Sequence, residues 1–161
     1  MSTGRQKEHE WLDRFIGDWT FEITATSDMG KPAETHRGRE TVRSLGGVWV
    51  VCDGTADMPG GGSMSSVLSL GYDPAKKRYK GTFIASMMPD LWIYEGELDG
   101  PSGNRLVLNT EGPSVDGEGK RAPYRDVIEF AGDDQRTMTS SYRDEKGTWH
   151  QFMTGTYRRT P

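Results

Sequence analysis

Trp11-Leu12-Asp13-Arg14-Phe15-Ile16-Gly17-Asp18-Trp19-Thr20-Phe21-Glu22-Ile23-Thr24 changes its hydrophobic period at Gly17. Before the glycine, Trp11/Phe15 and Leu12/Ile16 are two i,i+4 pairs that make one apolar stripe flanked by Lys7, Glu8, Asp13 and Arg14, which predicts a short helix over 9–17. Gly17 is expected to end it, because glycine takes the left-handed cap without strain. Beyond Gly17, Trp19, Phe21 and Ile23 alternate with Thr20, Glu22 and Thr24, the period of a strand, here 18–26.

The alternation then repeats to the end of the chain. A turn at Ser27–Pro32 leads to strands near 36–45, 47–57, 63–72 and 77–87. Five more follow near 91–99, 104–111, 123–131, 135–144 and 147–159. The 21 glycines among 161 residues fall between these runs rather than in one linker. Tight hairpins need such residues, since their central positions adopt positive φ. Ten short strands with brief connections predict an all-β fold: a single antiparallel barrel occupying 18–159 of a 1–161 domain, with 1–8 a flexible N-terminus.

Composition sets the outer limits. Leu, Ile, Val and Phe total only 26 residues, yet five Trp, six Tyr and eight Met supply further core material, and the net charge is only −4. That mild charge argues for a packed domain over a disordered chain and against nucleic acid as a partner. No apolar run approaches the roughly 20 residues of a membrane helix. The opening MSTGRQKEHE lacks the apolar core of a secretory signal, so a cytoplasmic location is expected. The lone Cys52 excludes an intrachain disulfide and a cysteine zinc cluster. His9, His36 and His150 fall on different elements without a ligand spacing, so neither a metal nor a cofactor is expected.

Several motifs occur in a recognisable order: HEWLDRFIGDW (9–19), SLGGVWVV (44–51), GYDPAKKRYKGTFIASM (71–87) and a terminal Tyr157-Arg158-Arg159. Over roughly 150 residues they resemble a bacterial calycin-like family, related to lipocalins and fatty-acid-binding proteins and known only as a domain of unknown function. The resemblance implies that the Gly-Xaa-Trp tryptophan closes one barrel end beneath an arginine of the last strand. By phase, Arg159 is the expected partner of Trp19. The Arg-Xaa-Tyr clamp of fatty-acid-binding proteins is reversed here in Tyr157-Arg158-Arg159. His150, the nearest analogue of the haem ligand in nitrobindin-like barrels, falls by alternation on the outward face with Phe152, Thr154 and Arg158, so haem is not expected.

Phase counting also selects an inward face. It carries Tyr79, Phe83 and Met87 on the fifth strand, Met138 and Tyr142 on the ninth, and Trp149, Gln151 and Met153 on the tenth. Polar groups share that phase, notably His36, Glu40 and Asp126. A buried carboxylate must be paired, hydrogen-bonded or protonated. Three readings follow. The first is non-catalytic binding of a small, largely apolar ligand, with Glu40, Asp126 and Gln151 as polar contacts on the walls just named. The second is acid–base catalysis by Glu40, Asp126 and Tyr142. The third is a filled barrel serving as a homodimeric interaction module, which requires Trp49 and Trp92, whose direction the phases leave open, to lie outside and adjacent.

Overall fold

The computed structural model describes residues 4–25, 33–58 and 60–161; the expected turn at Ser27–Pro32 lies outside the described residues. A helix, α1 (Lys7–Leu12), passes through a 3-10 turn (Asp13–Phe15) into ten strands. These are β1 (Gly17–Ala25), β2 (Glu34–Leu45), β3 (Trp49–Asp57), β4 (Ser63–Asp73) and β5 (Arg78–Ala85), followed by β6 (Trp92–Asp99), β7 (Arg105–Pro113), β8 (Arg121–Phe130), β9 (Gln135–Arg143) and β10 (Trp149–Arg159). Each strand pairs antiparallel with the next, and β1 also pairs with β10, so the sheet closes into an up-and-down barrel. Closure removes every sheet edge, which is how such folds avoid unpaired backbone groups.

The helix begins earlier and is shorter than its periodicity suggests. Its N-terminus is tied by the backbone N–H of Gln6 donating to His9 Nδ1 at 2.8 Å, so the helix already includes Lys7 and Glu8. Gly17 is not the helix cap: Asp13 is, and Gly17 opens β1 at φ 133°. A Cβ there would meet Arg159 Nη1 at 2.4 Å, so the glycine makes room for the last strand's arginine.

Helix and turn plug one barrel end. Leu12, Phe15 and Trp19 are almost completely buried, with Leu70, Tyr79, Leu106, Leu108 and Phe130 around them. Trp11 Nε1 donates to Gly103 O at 2.7 Å, and the Tyr79 hydroxyl donates to Glu8 O at 3.1 Å. Phe15 and Trp11 pack edge-on against Phe130 at 5.0 and 5.6 Å, a favoured aromatic geometry.

One irregularity changes which side chains face inward. Between Gln151 and Met153 the β9–β10 register shifts: Gln151 pairs with Ser141, but Met153 pairs with Ser140. Such a bulge inserts one residue and reverses the face of everything before it. Trp149 therefore lies outside, beneath the Arg125 guanidinium at 4.2 Å, and Gln151 is exposed. His150 shares a face with Tyr142 and stacks on it at 5.1 Å.

Candidate functional site

The interior has two levels with different chemistry. At the plugged end, Glu40 of β2 and Arg136 of β9 form a buried ion pair. The Arg136 guanidinium lies 4.5 Å from the Trp19 ring, 4.2 Å from Tyr157 and 5.0 Å from Phe15. Arg159 covers Trp19 at 4.3 Å and donates to Ile16 O at 2.6 Å and Arg14 O at 2.8 Å. One indole thus takes two guanidinium groups, each contact worth about 0.5–2 kcal/mol. The arrangement neutralises Glu40 and ties the plug to β10. Burial, then the nearby Glu40 carboxylate, pushes the Cys52 thiol and the Tyr157 phenol upward, so both stay neutral at ordinary pH.

Arg136 is the residue that sequence reasoning missed. Its signal was present, since Arg136, Met138 and Tyr142 share one phase of β9.

The second level begins nearer mid-barrel. Tyr94 of β6 donates its hydroxyl to Asp126 Oδ2 of β8 at 2.6 Å. Burial raises the Asp126 carboxyl above the usual range, while hydrogen bonds from Tyr94 and from Ser140 pull the other way. Ser140 stands directly opposite Asp126 on β9 and is 2% exposed. Its hydroxyl lies against the Asp126 carboxyl and helps to hold it. Tyr94 itself is raised by desolvation and by Asp126, so it remains a donor.

Beyond this level the walls are aromatic and apolar. Tyr124 packs against Trp92 at 4.9 Å and near Phe152 and Tyr142 at 6.0 and 6.2 Å. Trp92 Nε1 donates to the Met88 sulfur at 3.4 Å. His150 bonds Asp144 at 2.7 Å, the largest of the contacts that hold the Asp144 carboxyl below its ordinary value.

The expected site residues divide between these regions. Phe83, Asp126, Met138, Tyr142 and Met153 face the interior towards the unplugged end. Tyr79 is 2% exposed and packed under α1, so it belongs to the plug. Met87 is 57% exposed, because β5 stops at Ala85 and the chain turns before it. Gln151 points outward for the bulge already described. Glu40 and Asp126 are engaged by different partners, Arg136 and Tyr94, and do not form one acid–base constellation with Tyr142. Trp49 lies outside on Gly71 at the plugged end, whereas Trp92 packs against Tyr124 at the other, so they form no common patch.

A hollow of about 900 Å³ lies on the outer wall across β10, β1, β2 and β3, lined by Arg37, Arg39 and Arg158 together with Glu22, Asp57 and several threonines. It is separate from the interior groups, and its charges largely offset one another. Among the described residues no His, Cys, Asp and Glu cluster can hold a metal ion, and no helix is long and apolar enough to cross a membrane.

Solved structures share this fold. Rv2717c from M. tuberculosis superposes with a TM-score of 0.66 at 9% identity, covering 98% of this chain and 100% of its own. The S-type phycobiliprotein lyase CPES from Guillardia theta gives 0.58 at 17% identity, covering 98% and 94%. EF1p2_mFAP2b, a barrel bound to DFHBI, gives 0.50 at 10% identity, covering 94% and 98%. No curated protein matches the chain in sequence. Residues 4–159 match the model of a family described as "Protein of unknown function (DUF1579)".

Proposed function

The chain belongs to the DUF1579 family of proteins of unknown function, and from that premise we propose that it binds a small, largely apolar molecule inside its barrel without transforming it. The observation that carries this reading is the partial exposure of inward-facing side chains on β4, β5 and the middle of β8. On β4, Leu70 is fully buried while Leu68 and Met64 remain partly exposed. On β5, Tyr79 is buried and Phe83 is not; on β8, Phe130 and Ile128 are buried, whereas Asp126 and Tyr124 are partly exposed. Apolar side chains that face inward yet meet solvent mark an accessible interior, the usual setting for a ligand in a barrel mouth. Met64, Met138 and Met153 suit such a wall, because the thioether is polarisable and adapts to shape. The similar EF1p2_mFAP2b barrel is described with DFHBI bound, which supports ligand binding as a use of this architecture. A cytoplasmic location belongs to the same reading.

Titration with 1-aminoanthracene, a neutral apolar fluorophore, tests it. A saturable rise in emission at one dye per chain is expected, and Leu68→Trp with Met138→Trp should abolish it by filling the interior. A wild-type chain that leaves the dye dark overturns the proposal. Native mass spectrometry of gently purified protein would then identify a retained natural ligand.

A further inference from the structure

Closure of the barrel leaves no sheet edge, so a second protein can meet this wall only through its outward side chains. On β1 these are Thr20, Glu22 and Thr24, and on β9 Thr137, Thr139 and Ser141. The hairpin of β5 and β6 carries a different chemistry. Ile84, Leu91 and Ile93 are 49%, 57% and 64% exposed. Val67 pairs with Ile84 and Thr82 with Ile93, so these side chains share the outer face. Exposed Pro113 and Pro123 continue it across β7 and β8. The apolar patch measures on the order of 500 Å², near the top of what a monomer leaves bare. A dimer of standard size buries about 800 Å² per partner, roughly 56–65% of it apolar, and this patch supplies that share.

The face also fits itself. On one side of β6, Ile84 projects from β5; on the other lies a hollow of about 420 Å³ lined by Leu91, Ile93, Asn109, Glu111 and Arg121. A two-fold axis through β6 exchanges those two sides, because an isologous contact sets the same patch of both copies face to face. We propose that two copies of this chain pair through this face, with Ile84 of each in the partner's hollow and Leu91 of each against the partner's Ile93. Val67 of each then covers the partner's Pro123. The Glu111 carboxylate stands in the hollow without an ion pair among the described residues, while Arg121 donates to the Glu111 main-chain oxygen at 3.0 Å. In the pair, position 84 faces that carboxylate; in the lone chain it faces water. Only the outer wall is buried, so the pairing is independent of whether the interior holds a ligand.

Analytical ultracentrifugation of the full chain at about 100 µM tests this, a concentration at which an interface of standard size is occupied even when its affinity is only micromolar. A mass twice the 18.0 kDa of the chain is expected. Ile93→Asp, beside the axis, should return it to 18.0 kDa, with thermal unfolding verifying that the exposed substitution leaves the chain folded. Ile84→Glu would set like charges together twice, whereas Ile84→Lys would meet Glu111 in each hollow. The lysine variant is therefore expected to dimerise about tenfold or more tightly than the glutamate one, and Ile84→Lys/Glu111→Lys should lose that advantage. A wild-type chain that stays at 18.0 kDa overturns the proposal, as does a dimer that persists in Ile93→Asp. Equal dimerisation of the two Ile84 variants overturns the two-fold arrangement. A monomer that co-sediments with phosphatidylcholine vesicles, and no longer does so as Ile93→Asp, assigns the patch to a lipid surface and overturns the pairing too.

Discussion

Removing the Glu40 carboxylate would strand a guanidinium inside the barrel. The Glu40 and Arg136 side chains are 8% and 3% exposed, and Arg136 Nη1 already lacks a hydrogen-bond partner. Breaking a buried pair by deleting one member costs about 3–5 kcal/mol, because the survivor keeps its desolvation penalty. The rings of Trp19 and Tyr157 remain against Arg136 and soften the loss. Glu40→Leu should therefore cost about 3 kcal/mol, near the low end of that range. At about 2–4 °C per kcal/mol for a domain of this size, the expected fall in Tm is about 6–12 °C. Glu40→Leu/Arg136→Met removes both charges at similar volume and should return to within about 1 kcal/mol of the parent. Urea unfolding followed by tryptophan fluorescence measures all three variants, including Arg136→Met alone. A Glu40→Leu cost below about 1 kcal/mol, or single-mutant costs that simply add in the double variant, would refute the reasoning.

Further outcomes follow from other parts of the barrel. Arg159→Met removes the cation over Trp19 and two donors to the plug backbone, so a loss of about 2–4 kcal/mol in urea unfolding is expected, with Arg159→Lys restoring little of it. Gly96→Ala would place a Cβ 1.8 Å from Val107 O, a backbone atom that cannot swing away, and should cost about 1–3 kcal/mol; a variant as stable as the parent would contradict the β6–β7 packing. Asp126 has a folded pKa above its unfolded value, so the native state holds its proton over a window in which the unfolded chain has released it. That group's contribution to stability therefore declines as pH rises from about 4 through its folded value. Asp126→Asn should gain on the parent across that window and then run parallel to it in urea midpoints; profiles parallel throughout would show that burial does not raise the carboxyl.

How much of this was legible in the chain depends on the range of the interactions involved. The switch from helical to alternating spacing at Gly17 and the ten alternating runs between glycine-rich turns are local patterns, and they mapped onto ten antiparallel strands. Asp126, Met138 and Tyr142 were found inward by counting alternate residues along uninterrupted strands. The same counting failed at Trp149, His150 and Gln151, because the bulge before Met153 exists only in the pairing of β10 with β9. It failed at Met87 because the strand ended two residues earlier than its apolar pattern.

Alternation in a strand is intrinsic to the backbone, so the sequence by itself determined the all-β class, the number of strands and most of the inward face. Pairing across distance was left to the tertiary structure. Arg136 meets Glu40 from 96 residues away, and Tyr94 meets Asp126 from 32. Each buried carboxylate advertised a need for a partner, but only closure of the barrel decided which group would supply it. The physical reason is that burial creates the demand locally, whereas shear and register around the closed sheet set which side chains share a level.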